Sequence, residues 1–178
     1  NDVKEFGGYT DLSLLSATAL IQTPILKNEN GGLYLGSPLG EYKKEQRNAG
    51  YIIAAGRISY IDLIILPLIN LITGDSINIL PQYWDYQFKA RYNFNNAHSL
   101  TLLAFGSKDY LKFVSSSKVK TDGSDPLLTG LSVNTNQMTN GQSLCYTYQP
   151  SEIFRNKLTF YSSLRQNSIS ITIPAPGV

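Results

Sequence analysis

The sequence predicts an all-β protein laid out as an antiparallel meander. Three observations carry that expectation: strict alternation of apolar and polar side chains, turn residues between the alternating runs, and no heptads, 20–50-residue repeats or long charge blocks anywhere in the chain. Alternation is cleanest over 83–94, YWDYQFKARYNF. Trp84, Tyr86, Phe88, Ala90, Tyr92 and Phe94 share one parity, and Asp85, Gln87, Lys89, Arg91 and Asn93 share the other. Strand side chains point to opposite faces in turn, so this segment is a long strand with one aromatic and one charged or amide face.

Each further element follows from the same period. Asn95, Asn96 and Ala97 supply turn chemistry, and Leu100, Leu102 and Ala104 then alternate against Ser99 and Thr101, which makes a hairpin. Past Leu103 the pattern is apolar on both sides. A second hairpin has Leu144, Tyr146 and Tyr148 alternating with Ser143, Cys145 and Thr147, a turn over 150–156, and Leu158, Phe160, Ser162 and Leu164 on the return. Upstream, Ile52, Ala54, Ile58 and Tyr60 face away from Arg57 and Ser59, with Tyr51, Ile53 and Ala55 blurring the polar side, and 9–25 reads as one strand ending near Pro24. About six strands are expected in all, over 9–25, 50–65, 82–94, 99–113, 142–149 and 157–173. The connections at 95–98 and 150–156 are short, whereas 66–81 and 110–140 are long loops rich in Gly, Ser, Asn, Asp and Thr. The 26–49 stretch falls on the short-turn side yet is long and Gly-rich, and is read as an insertion.

Composition narrows the function classes. The 178 residues carry 15 Lys plus Arg against 13 Asp plus Glu, a net charge of +2, so no strong field calls for nucleic acid or an anionic membrane surface. Charged residues make up 16% of the chain, below the roughly 25% of an average soluble domain, so something other than water is expected to touch much of the surface. One cysteine and one histidine exclude an internal disulfide framework and multi-cysteine zinc sites. The chain starts at Asn1 with no basic-then-apolar leader, and is read as a processed product or a piece of something longer. Its longest apolar run, 61–73, contains Asp62, Pro67 and Asn70; it is too short to cross a bilayer as a helix, which takes about 20 residues, and is expected as a buried loop or a short helix broken at Pro67.

Alternation alone fits a soluble sandwich or a transmembrane barrel. Strand length, aromatic residues at both ends of 83–94 and the asymmetry of short turns and long loops favour the barrel. A Lys or Arg facing lipid at mid-bilayer costs about 2–4 kcal/mol, and one rotation of the strand places Asp85, Gln87, Lys89 and Arg91 all in the lumen. Six strands leave two open edges, which lipid does not tolerate, so the expected architecture is a partial transmembrane β-barrel closed by further strands, other copies or a partner.

The runs GYTDLSLLSATALIQTPI (8–25), AAGRISYIDLII (54–65) and YWDYQFKARYNFNNAHSLTLLAFGSKD (83–109) resemble the first barrel strands of outer-membrane TonB-dependent receptors, just after their plug domain, and 146–164, with YQPSEIFRNKLTF, resembles the next strand, periplasmic turn and strand of the same barrels. The resemblance spans most of the chain and rests on strand patterns and short motifs. It implies that residues 1–178 are the N-terminal portion of a barrel of about 22 strands, with the plug, the TonB box and the remaining strands lying outside this segment. It implies active import of a scarce ligand of iron-chelate, cobalamin or glycan type in the outer membrane of a diderm bacterium. Outer-membrane lipid is then a partner, and the plug and TonB are partners through parts missing here. A soluble all-β binding or adhesion module is the alternative, and a small barrel completed by oligomerisation is a third.

The residues of interest follow from the face assignment. Arg57, Asp85, Gln87, Lys89 and Arg91 are the candidate lumen-facing set, placed to line a ligand path or hold a plug; a solvated strand face or cross-strand charge ladder is the blander reading and is favoured. Trp84, Tyr86, Phe88, Tyr92, Phe94, Tyr146, Tyr148 and Phe160 are the candidate lipid-facing or girdle set. His98 reads as turn punctuation, Cys145 as an inert buried thiol, and Gly31, Gly32 and Gly36 as turn material without the Lys of a phosphate loop. No catalytic constellation, cofactor motif or metal-ligand set is present, and no enzymatic activity is expected. The transported ligand is not legible in the loops.

Overall fold

The computed structural model describes residues 3–38, 47–73, 76–116 and 132–173. They form a single antiparallel sheet of eight strands with one helix, and most of the described residues are strand. The strands are β1 (Gly7–Leu12), β2 (Ser16–Lys27), β3 (Leu33–Leu35), β4 (Arg47–Ser59), β5 (Ser76–Asn93), β6 (His98–Ser116), β7 (Ser132–Tyr148) and β8 (Asn156–Thr172); helix α1 (Ile61–Thr73) joins β4 to β5. Their order is β1-β2-β4-β5-β6-β7-β8, with β3 folded back on β2. The meander expected from the alternation is therefore the observed topology.

Strand count and strand length differ from the sequence reading. Residues 9–25 are not one strand: the chain reverses at 13–15, where the Ser13 hydroxyl accepts the Ser16 N–H at 3.0 Å and the Leu15 N–H at 3.3 Å. A serine hydroxyl does here what Gly, Asn or Pro advertises elsewhere, so the turn is hidden in an apolar-looking Ser-Leu-Leu-Ser. The 26–49 stretch contains a short hairpin. Gly31, at φ +81°, closes the turn by donating to the Asn28 carbonyl at 3.1 Å, and β3 pairs back from there; residues 39–46 lie outside the described set.

At the opposite end the long loops shrink. β5 begins at Ser76 instead of 82, β6 runs to Ser116, and β7 begins at Ser132 instead of 142, while 117–131 lie outside the described residues. The polar Asn, Thr and Gln residues of 134–142 read as loop composition, yet cross-strand pairing with β6 and β8 holds them extended. Segment 61–73 is one continuous helix through Pro67, begun by Asp62 in its first turn, and it is not buried: Leu63 is 72% and Leu71 82% exposed.

Pro24 sits inside β2 instead of ending it. Its carbonyl accepts the Gly36 N–H on the side where β1 has ended and β3 has not yet paired, so the missing proline N–H falls in a gap of the ladder. Opposite it, Ile25 pairs with Gly50 but Leu26 with Asn48, which leaves Ala49 as a bulge. The buried apolar side chains among the described residues are Val3, Pro24, Leu26, Ala49 and Tyr51, a patch at this turn end. No second sheet covers either face of the described sheet.

Candidate functional site: the two faces of the sheet

Register fixes which side chains share a face. On one face a row runs straight across seven strands through Asp11, Thr18, Arg57, Asp85, Ser107, Thr139 and Arg165. Arg57 donates to Asp85 through Nε and Nη2, each 2.7 Å from the same carboxylate oxygen, and its guanidinium lies 4.9 Å from the centre of the Tyr83 ring. Below this pair, Gln87 opposes Ala55, Lys89 opposes Ile53 and Arg91 opposes Tyr51. The Lys89 ammonium stands 5.5 Å over the Tyr51 ring, and Arg91 Nε donates to Asn93 at 3.0 Å. All five candidate lumen-facing residues thus lie on one face of two adjacent strands. Their ordered partners, Tyr51 and Tyr83, escape sequence reading because they carry the charged parity while looking aromatic; only the β4–β5 register brings them to the cations.

Wholly different chemistry occupies the other face. Its central rows read Ile21, Ala54, Phe88, Ala104, Gln142, Ser162 and then Thr23, Ile52, Ala90, Leu102, Leu144, Phe160, uncharged throughout and small or apolar except at Gln142. Aromatic clusters bound this belt at both ends. At the loop end, Trp84 and Tyr86 stack with ring centres 6.2 Å apart, and the Tyr86 hydroxyl donates to Asn140 Oδ1 at 3.3 Å. Gly106 lies beneath that ring, where a Cβ would come within 2.5 Å of it. At the turn end, Tyr92 and Phe94 meet edge to face at 5.1 Å, His98 stacks on Tyr148 at 4.7 Å, and Tyr148 meets Phe154 at 6.2 Å. Tyr146 hydrogen-bonds His98 Nδ1. Seven of the eight candidate girdle residues fall on this face by register, and Phe94, one residue past β5, joins them through its ring contact with Tyr92.

His98 is therefore more than turn punctuation. It opens β6 with the parity of Leu100 and joins the aromatic cluster, a role visible in the sequence once the alternation is extended two residues back. Cys145 is half-buried instead of buried, on the polar face, with Sγ 3.9 Å from Thr147 Oγ1. Among the described residues no three His, Cys, Asp or Glu side chains converge on a metal position. No helix of the described residues is long and apolar enough to cross a membrane.

Polarity inverts towards the loop end. From the row of Trp84 outwards the formerly apolar face turns mostly polar, through Lys108, Gln166, Gln82, Asn136, Ser168, Lys112 and Asn134, though Leu80, Tyr110 and Met138 share it, while Leu111, Phe113, Val133, Ile169 and Ile171 occupy the formerly charged face. The apolar belt is thus confined to about ten residues of each long strand. Comparison with protein-family models, with curated proteins and with solved structures finds no match for this chain.

Proposed function

We propose that this sheet is the early part of a transmembrane barrel of the outer membrane, of the TonB-dependent receptor type, serving the import of a scarce ligand. The carrying observation is the bounded belt: a sheet face that no second sheet covers among the described residues, free of charge over its central rows and closed at both ends by aromatic clusters. From Phe94 to Trp84 is ten residues, roughly 33 Å along a strand and roughly 25 Å along the normal at the usual barrel tilt of about 40°. That matches the height of the apolar band of outer-membrane barrels, about 25 Å. Arg57, Asp85, Gln87, Lys89 and Arg91 then line the enclosed side, where their charges meet water, a plug or a ligand. The importer assignment rests on the sequence resemblance.

A soluble binding module calls for the apolar face to pack into a closed core. Against that stand the five buried apolar side chains of the described residues and a total accessible surface of 13041 Å², compared with roughly 8,600 Å² for a compact monomer of this mass.

Trp84 is the single tryptophan of the chain and sits at one margin of the belt, so it reports the environment of that face. Incorporated into bilayers of lipids brominated at chosen depths, the chain should show Trp84 fluorescence quenched most strongly by bromines near the interface and less by those at mid-bilayer. Recovery of the chain as a detergent-free soluble monomer, with Trp84 emission indifferent to brominated lipid, would refute the reading.

A further inference from the structure

We infer that the outward rim of the sheet at its loop end, formed by Lys108 and Lys112 of β6 together with the exposed apolar residues Leu63, Leu68 and Leu71 of α1, is a docking surface for anionic, phosphate-bearing lipid headgroups. The inference rests on the membrane reading and deepens it by fixing which leaflet chemistry this end meets.

Two independent observations meet at this rim. The first is the distribution of charge. On the outward parity of β5 to β8 the only charged residues are Lys108 and Lys112; Asp85, Asp109 and Arg165 all carry the opposite parity. Lys108 pairs with Trp84, at the margin of the apolar belt, and Lys112 lies four residues further out, roughly 13 Å along the strand. Neither makes an ion pair among the described residues, where the only such pair is Arg57–Asp85 on the other face. Two cations without an ion pair outnumber the one carboxylate at this rim, that of Asp62 in α1, which is taken up by Gln82; the excess positive charge suits an anionic layer, since a cation at a charged lipid surface gains about fivefold in partition per residue.

The second observation is α1 itself. It starts where β4 ends, packs beside β5 and is tied to it by Gln82 Nε2 donating to Asp62 at 2.8 Å. Gln82 has the outward parity of Trp84, so the helix is anchored on the same rim as the lysines. Its Leu63, Leu68 and Leu71 are 72%, 52% and 82% exposed, and α1 contains no Lys or Arg. An apolar helix beside unpaired cations fits the boundary between acyl chains and headgroups, where apolar residues enter the chains and ammonium groups meet phosphate.

The test is flotation of the full chain with vesicles of phosphatidylcholine alone and of phosphatidylcholine with phosphatidylglycerol. The anionic vesicles should be preferred at low salt, K108A/K112A should lower that preference roughly 25-fold, and K108R/K112R should retain it. K89A/R91A, which removes two cations from the other face, should leave the preference intact. Undiminished preference in K108A/K112A, or equal loss in K89A/R91A, would overturn the headgroup assignment while sparing the membrane reading. Failure of the unaltered chain to float with either vesicle would overturn both.

Discussion

Gly50 has its backbone so close to β5 that a Cβ there would lie 1.9 Å from the Arg91 carbonyl oxygen. It sits next to the Ala49 bulge, and Asn48 Oδ1 accepts its N–H at 2.9 Å, so the strand cannot shift to make room. G50A should destabilise the sheet by about 3 kcal/mol, read as a lower urea midpoint for the chain folded in detergent. G56A is the matched control: its Cβ would meet nothing nearer than the Asp85 carbonyl oxygen at 3.7 Å, and it should stay within about 0.5 kcal/mol. Equal midpoints for the two variants would contradict the tight β4–β5 approach. The Arg57–Asp85 pair is a different case. With side chains 50% and 26% exposed, its coupling in an R57A/D85A double-mutant cycle should not exceed about 1 kcal/mol. Such a pair holds charge in place on the polar face more than it holds the fold together.

Individual strands carry the distinction between faces. On β6, Leu102 belongs to the apolar belt between Ala90 and Leu144, and its neighbour Thr101 lies on the polar face between Arg91 and Cys145. L102R should cost about 2–4 kcal/mol of folding free energy in a bilayer and T101R, which meets only the repulsion of Arg91 opposite, less than about 1 kcal/mol, measured by denaturant titration in lipid vesicles. Equal costs would remove the assignment of the belt to lipid. This difference between adjacent residues was legible in the sequence, because a period of two needs only local information. Strand ends were not. The turn at Ser13 uses a hydroxyl in place of a glycine, and the extensions at 76–81 and 132–141 invert their polarity, so the alternation that marks 83–94 does not continue in phase. Rows such as Asp11–Thr18–Arg57–Asp85 were equally hidden: each member is local, but the row exists only through the register of four strands.

The whole molecule is governed by its edges. Among the described residues β1 is flanked only by β2, and β8 only by β7, while every one of the 17 residues of β8 is exposed. A long edge of this kind is blunted in soluble proteins by proline, inward charge or a covering element, but β8 carries only Lys157 and Arg165 and no proline. In lipid the difficulty is greater, because an unpaired backbone N–H or C=O there costs several kcal/mol with no water to relieve it. Edge pairing is the available remedy, by further strands where these are present and by a second copy of the chain where they are not. The 178-residue chain alone in bilayers or detergent should therefore run at a multiple of 19.7 kDa by light scattering, with β8 amides protected from hydrogen exchange along its full length instead of at alternate residues. A 19.7 kDa monomer with alternate β8 amides exchanging freely in lipid would mean that the edge tolerates hydrocarbon. The inference from open sheet to unfinished barrel would then fail, because that inference depends on the edge being unable to stay bare.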